Sequence, residues 1–310
     1  MRYVFIVNPV AGKGKGPDTV VPKINEYFKN ADNYNVYITT YKGEAREIAE
    51  REAKTGDQVR IFPCGGEGTF FEALNGVIGY KNVEIGVIPC GTANDFLKYF
   101  GQKDLFFDIA KMCEGESVEV DLIKADDMYC INQCSVGMDA IVAERMQKFK
   151  KLPLVNGKTA YTLAIIKLFL GKIGLELNIK IDDNEPFKKD CLFAVCANGP
   201  VYGGGYSSAP SAVPFDGKLD FAIVDTVSKF KVIPFLKSYS DGTHEKYDFC
   251  SIGNCKTMEI YADKPFPVNL DGEIISKDHV KFELVKKAVR FILPKEIAAK
   301  LPREENCVIA

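Results

Sequence analysis

The sequence predicts an α/β N-terminal domain with a doubly wound parallel sheet, followed by a mainly β C-terminal sandwich domain. Three observations predict it. Apolar strand-like runs alternate with amphipathic helical stretches over residues 1–124. Glycine-rich turns close three of those strands. From 125 to 294 the pattern becomes strand-dense. A chain of 310 residues also exceeds one core of usual size and suits two domains.

In order, Tyr3 to Val7 is a continuous apolar run, as in a strand covered on both faces. NPVAGKGKG follows, then a helix over Thr19 to Phe28 with Val20, Ile24 and Phe28 on one face. A strand is expected at Asn35–Thr40, a helix at Glu44–Lys54, and a strand at Gln58–Phe62. PCGGEGT leads into a helix from about Thr69. The strand Val83–Ile88, PCGTAND and a further helix complete the first domain. In the second domain, strands are expected at 128–135, 176–181, 189–197, 219–224, 257–262, 266–270 and 280–284, with helices near 139–149 and 158–170. The tail 295–310, helix-like at its start, is expected to pack back on the first domain.

Composition narrows function. Forty basic and 42 acidic residues leave a net charge of −2, which argues against nucleic acid as a partner. The N-terminus has no signal-peptide pattern. The most apolar later stretch, Tyr161 to Leu175, carries Lys167 and Lys172 and is too short to span a bilayer, so no transmembrane segment is expected and the location expected is cytoplasmic. None of the ten cysteines has Cys-x-x-Cys spacing and there are two histidines, so the thiols are expected reduced and packed as small hydrophobes. Cys307 to Ala310 matches a prenylation pattern without the usual basic neighbours.

Five segments could carry chemistry. Asn8 to Gly16 follows a strand and combines glycines with Lys13 and Lys15, a pattern suited to phosphate, although it lacks the Gly-Lys-Ser/Thr of a Walker loop. In Pro63 to Gly76, Gly65, Gly66 and Gly68 admit a close ligand, Thr69 stands at a helix start, and Glu67 displays a carboxylate fit for a phosphate-bound cation. Gly91, Thr92, Asn94 and Asp95 repeat the theme, and a plain helix cap explains them equally well. Asp216-Gly217 and Asp271-Gly272-Glu273 read as turns in which carboxylates are displayed.

Together these residues resemble the diacylglycerol kinase catalytic family, which includes sphingosine and ceramide kinases and soluble bacterial lipid kinases. The matching motifs are Asn8-Pro9-Val10-Ala11-Gly12, Gly65-Gly66-Glu67-Gly68-Thr69, Gly91-Thr92-Ala93-Asn94-Asp95-Phe96, Asn198-Gly199 through Phe215-Asp216-Gly217-Lys218-Leu219-Asp220, and Asp271-Gly272-Glu273. The resemblance implies an ATP- and Mg2+-dependent kinase acting on a lipid hydroxyl, diacylglycerol or a related lipid. It implies that Asn8, Pro9, Val10, Ala11, Gly12, Thr40, Gly65, Gly66, Glu67, Gly68, Thr69, Phe70, Phe71 and Thr92 hold ATP, with Asn94 and Asp95 beside them. Asp216, with the carbonyls of Val213 and Lys218, would form a Mg2+ site of structural kind; Glu273 is favoured slightly as the base, with Asp271 as its partner or alternative. Glu67 departs from the family's Asp in that loop and adds a methylene of reach.

The partner expected is a lipid at the membrane surface, approached peripherally. Arg145, Lys148, Lys150 and Lys151 with Leu152 and Leu154 could dock on an anionic bilayer or form a solvated helix end. Edge strands of the second domain offer a pairing surface for a homodimer. An NAD kinase is the competing enzyme, and a non-catalytic nucleotide- or lipid-binding regulator of the same fold is the competing class.

Overall fold

The structure, a computed structural model, describes residues 1–90, 94–150 and 173–301; for 146–150 it describes the backbone alone. The chain divides into two compact units, Met1–Leu122 with the stretch from Lys286 onward, and Ile123–Val285. Sequence placed the boundary at 124/125 and the tail's return at 295.

The first unit opens β1 (Arg2–Val7), α1 (Ala11–Gly14), α2 (Gly16–Tyr27), β2 (Tyr34–Ile38), α3 (Glu44–Ala53), β3 (Val59–Gly65) and α4 (Glu67–Val77). There follow β4 (Val83–Ile85), β5 (Ile88–Pro89), two 3-10 turns (Phe96–Phe100 and Lys103–Phe107), α5 (Ile109–Cys113) and β6 (Glu116–Ala125). Val4, Phe5, Ile6 and Val7 of β1 are fully buried, as a strand with cover on both faces requires. Helix α2 begins with Pro17 in its first turn, where a missing N–H costs nothing, and turns Val20 and Ile24 inward with Phe28 beyond its end. In α3 the inward Glu52 is held by Arg2 Nη1 at 3.0 Å and the Tyr37 hydroxyl at 2.8 Å. The helix expected after Asp95 is instead the 3-10 turn Phe96–Phe100, ended by Gly101. Its Phe96 and Phe100 pack on Phe291, and that ring cluster outweighs the local helical pattern.

The second unit contains β7 (Met128–Cys130), β8 (Gln133–Gly137), α6 (Met138–Lys150), β9 (Leu175–Ile181), β10 (Phe187–Ala197) and β11 (Leu219–Asp225). It continues with α7 (Lys229–Ser240), β12 (Cys250–Cys255) and β13 (Thr257–Leu270); β14 (Glu273–Leu293) then runs back to the first unit, which ends in α8 (Lys295–Ala298). The helix expected at 158–170 lies outside the described residues. The strands expected at 257–262 and 266–270 are one strand, because the polar Asp263-Lys264-Pro265 insert is absorbed as an irregularity between Tyr261 and Phe266. Sequence analysis missed α7, β6 and β12.

The first unit's sheet is parallel, in the order β14-β4-β3-β1-β2. The second is antiparallel, in the order β12-β11-β10-β8-β13-β14, with β9 paired to β10 and β13. Both classes are those the sequence predicts. The nine described cysteines are free thiols, seven of them buried.

Candidate functional site

In the first unit β1 pairs with β2 on one side and β3 on the other. Strand order therefore reverses at β1, and the carboxyl ends of β1 and β3 flank the crevice in which open α/β sheets bind ligands. Two glycine turns meet there. The Asn8 side chain bridges them: its Nδ2 donates to Thr69 Oγ1 at 2.9 Å, and its Oδ1 accepts the Val10 N–H at 3.0 Å. Gly12 takes φ +61°, and a Cβ there would stand 2.7 Å from the Cys90 carbonyl oxygen, so the first loop is closed against the strand end before the third loop. A Cβ on Gly65 would stand 2.5 Å from Thr69 Oγ1, which seats the second loop on its own helix start.

Glu67 opens α4 and is half-buried; its Oε1 accepts the Asp95 N–H at 3.0 Å. Burial is the main cause raising its carboxyl above the ordinary range. The extra methylene thus spans from the second loop to the third. Asp95 is buried and ion-paired to Lys98 Nζ at 2.6 Å. Asn94 is buried, and its Nδ2 lacks a hydrogen-bond partner among the described residues. A buried amide donor without a partner beside two tight glycine turns fits a ligand rich in acceptor oxygens, such as a nucleotide phosphate.

Other expected contacts behave differently. Phe70 and Phe71 are packed into the core, Phe70 against Phe291. Thr40 is exposed, and its hydroxyl donates to Glu44 Oε2 at 2.9 Å. Thr92 lies outside the described residues, as do Cys307 and residues 151–154; of Lys148 and Lys150 the backbone alone is described.

In the second unit, Asp271 sits at φ +48° in the turn between β13 and β14. Its carboxylate accepts three backbone N–H groups, from Ile131 at 2.6 Å, Asn132 at 3.1 Å and Gln133 at 2.8 Å. The same 131–133 loop is held from the other side: Asn198 Nδ2 donates to the Ile131 carbonyl at 2.7 Å, and Gln133 Nε2 to the Gly199 carbonyl at 2.5 Å. Two motifs more than 70 residues apart in sequence therefore converge on a loop to which sequence analysis assigned no role. The signal for it was Asn132-Gln133 interrupting an apolar run. Glu273, half-buried, opens β14 two residues later.

The Val213–Lys218 turn is closed by the Phe215 and Asp216 N–H groups donating to the Val213 carbonyl at 2.8 and 3.4 Å, and by Asp216 Oδ1 accepting the Lys218 N–H at 3.0 Å. Asp216 is exposed, and its charge helps burial raise the carboxyl of Asp220. Oxygen donors beside two neighbouring carboxylates fit a hard divalent cation.

Comparison with known proteins bears on this geometry. Residues 2–125 match the model for the "Diacylglycerol kinase catalytic domain", and residues 132–293 that for the "YegS C-terminal NAD kinase beta sandwich-like domain". A Shewanella frigidimarina protein named "Probable lipid kinase YegS-like" is 30% identical over 249 residues, covering 78% of this chain and 79% of that one. The chain belongs to the diacylglycerol kinase catalytic family. A family member from Staphylococcus carnosus, named "Diacylglycerol kinase", is 26% identical and covers 96% of both chains. Among solved structures, a diacylglycerol kinase from Bacillus anthracis shares the fold at TM-score 0.67 and 20% identity, covering 96% of this chain and 98% of that one. An NAD kinase from Archaeoglobus fulgidus in complex with ATP shares it at TM-score 0.54 and 14% identity, covering 97% of both. As a member of this kinase family the chain is a phosphotransferase with an alcohol acceptor, and ATP is the phosphoryl donor the family implies.

Proposed function

We propose that this protein transfers the γ-phosphate of ATP to a lipid hydroxyl, with diacylglycerol or a related lipid as acceptor at the membrane surface. The observation that carries the reading is the Asn8–Thr69 bridge at the strand-order reversal, with Glu67 extending from that loop to Asp95. Asn8 to Gly12, Gly65 to Thr69 and Asn94 would hold the phosphates through backbone N–H groups and the Asn94 amide. Asp216, with the carbonyls of Val213 and Lys218, would hold a Mg2+ of structural kind, and Mg2+ bound with the ATP phosphates would supply charge neutralisation. Phosphoryl transfer is chiefly positioning plus such neutralisation.

Glu273 is the base in this reading. Asp271 already has its carboxylate oxygens on the 131–133 amides, so its part is to fix the turn that carries Glu273. Glu273 would take the proton of the acceptor hydroxyl as the oxygen attacks the γ-phosphorus and ADP leaves. The fold shared with an ATP-bound NAD kinase keeps a dinucleotide acceptor as the second reading.

The test is transfer of label from γ-labelled ATP with Mg2+ into a lipid panel in mixed micelles, run beside NAD. Label in a lipid, lost about 100-fold or more in Glu273→Ala, is the result expected. Label in NAD alone would replace the lipid reading with the second one. ATP binding without transfer to any acceptor would point to the non-catalytic regulator.

A further inference from the structure

Helix α7 (Lys229–Ser240) has two faces of opposite character. Val232, Phe235 and Tyr239 are buried, with Phe235 packed against Phe193, Tyr247 and Phe249. On the outer side Phe230 is 89% exposed and Ile233, one turn on, is 66% exposed. Phe230 is the most exposed of the large apolar side chains among the described residues. Pro234 is exposed beside them, as are Lys231 and Lys237, while Lys229 is half-buried. The helix contains no carboxylate. The flanking Asp225 is engaged by Lys189 at 2.8 Å, and Asp241 stands beyond the last turn at the C-cap. This cationic stretch belongs to a chain whose net charge is −2.

The pattern selects its partner by charge. A self-complementary dimer through this face would set lysines against lysines, which is unfavourable. A surface of anionic headgroups complements the lysines, and the acyl boundary beneath it accepts the apolar tips. We propose that α7 docks the protein on an anionic bilayer, with Phe230 and Ile233 inserted and Lys231 and Lys237 at the phosphate level. The proposal deepens the lipid-kinase reading and rests on it for its purpose, while its evidence is the helix alone.

The experiment is co-sedimentation of the full chain with vesicles of phosphatidylcholine, with and without phosphatidylglycerol. The protein should bind the mixed vesicles more strongly, and the preference should weaken with salt. The double variant Phe230→Ser/Ile233→Ser should lower partitioning about tenfold or more. Lys231→Glu/Lys237→Glu should abolish the preference for phosphatidylglycerol. Both variants should keep the wild-type thermal midpoint, because the substituted side chains are exposed. Equal vesicle binding by all forms, or no binding by the wild type, overturns the proposal. So does a wild-type dimer in sedimentation that Phe230→Ser/Ile233→Ser dissociates while vesicle binding is unchanged. Phosphorylation of a short-chain diacylglycerol in detergent, where docking is not needed, reads the kinase activity separately. Its absence in every form would count against the kinase reading and leave the docking result standing.

Discussion

Glu67 combines a carboxyl raised by burial with a hydrogen bond to the third loop. A carboxyl whose folded-state pKa lies above its unfolded value binds its proton more tightly in the native state. Its ionisation therefore lowers stability as pH rises from the unfolded pKa through the folded one. Glu67→Gln keeps the acceptor for the Asp95 N–H and removes that cost. Its thermal midpoint at pH 7 should equal or exceed wild type, with the difference shrinking on acidification. Kinase activity should nevertheless fall about tenfold or more, because the charge is gone; a melt paired with a transfer assay reads both. His244 shows the opposite sign. It is fully buried, its Nε2 lies 3.1 Å from the Ser208 carbonyl and so carries the proton, and burial holds its pKa below 6.5. Unfolded chains then bind more protons below about pH 6.5, so stability should fall as pH drops from 7 to 5. The measurement is the urea midpoint across that range, and His244→Gln should flatten the fall.

Helix α7 shows how one element serves the fold and leaves a face unused by it. Phe235 is fully buried among Phe193, Tyr239, Tyr247 and Phe249. Phe235→Ala should cost about 3–5 kcal/mol of the second unit's stability, checked by denaturant unfolding. The exposed Phe230 contributes no comparable packing. At this scale the sequence was readable where one period dominates. The buried run of β1 and the 3.6-residue face of α2 needed no distant information. Helix α7 was missed because Pro234 and two outward apolar residues blur its period. The extra length of β14 was missed because its polar residues, from Lys277 to Lys287, alternate only weakly with apolar ones.

For the whole molecule, the two units carry separate duties in the proposed reaction, nucleotide in the first and base in the second. ATP binding to the first unit should stabilise that unit by about 2.7 kcal/mol at 100 times its dissociation constant. Thermal scans with and without ATP check this. Asn8→Ala, which removes the bridge between the two loops, should weaken the shift. Among the described residues no helix is long and apolar enough to cross a membrane. In the docking proposed above, α7 is the surface element that meets the bilayer.

By itself the sequence determined the two fold classes, the glycine turns at strand ends and the family, because each is written in local periodicity or in short ordered motifs. It favoured Glu273 over Asp271 as the base only slightly. Tertiary structure separated their surroundings: the amides that engage Asp271 lie about 140 residues earlier in the chain, and no local pattern records such a partner. The Asn8–Thr69 bridge, the span of Glu67 to Asp95 and the exposure of Phe230 beside the burial of Phe235 were likewise decided only in three dimensions. Periodicity says which residues prefer water or core; the packed chain decides which donor, acceptor or ring each of them meets.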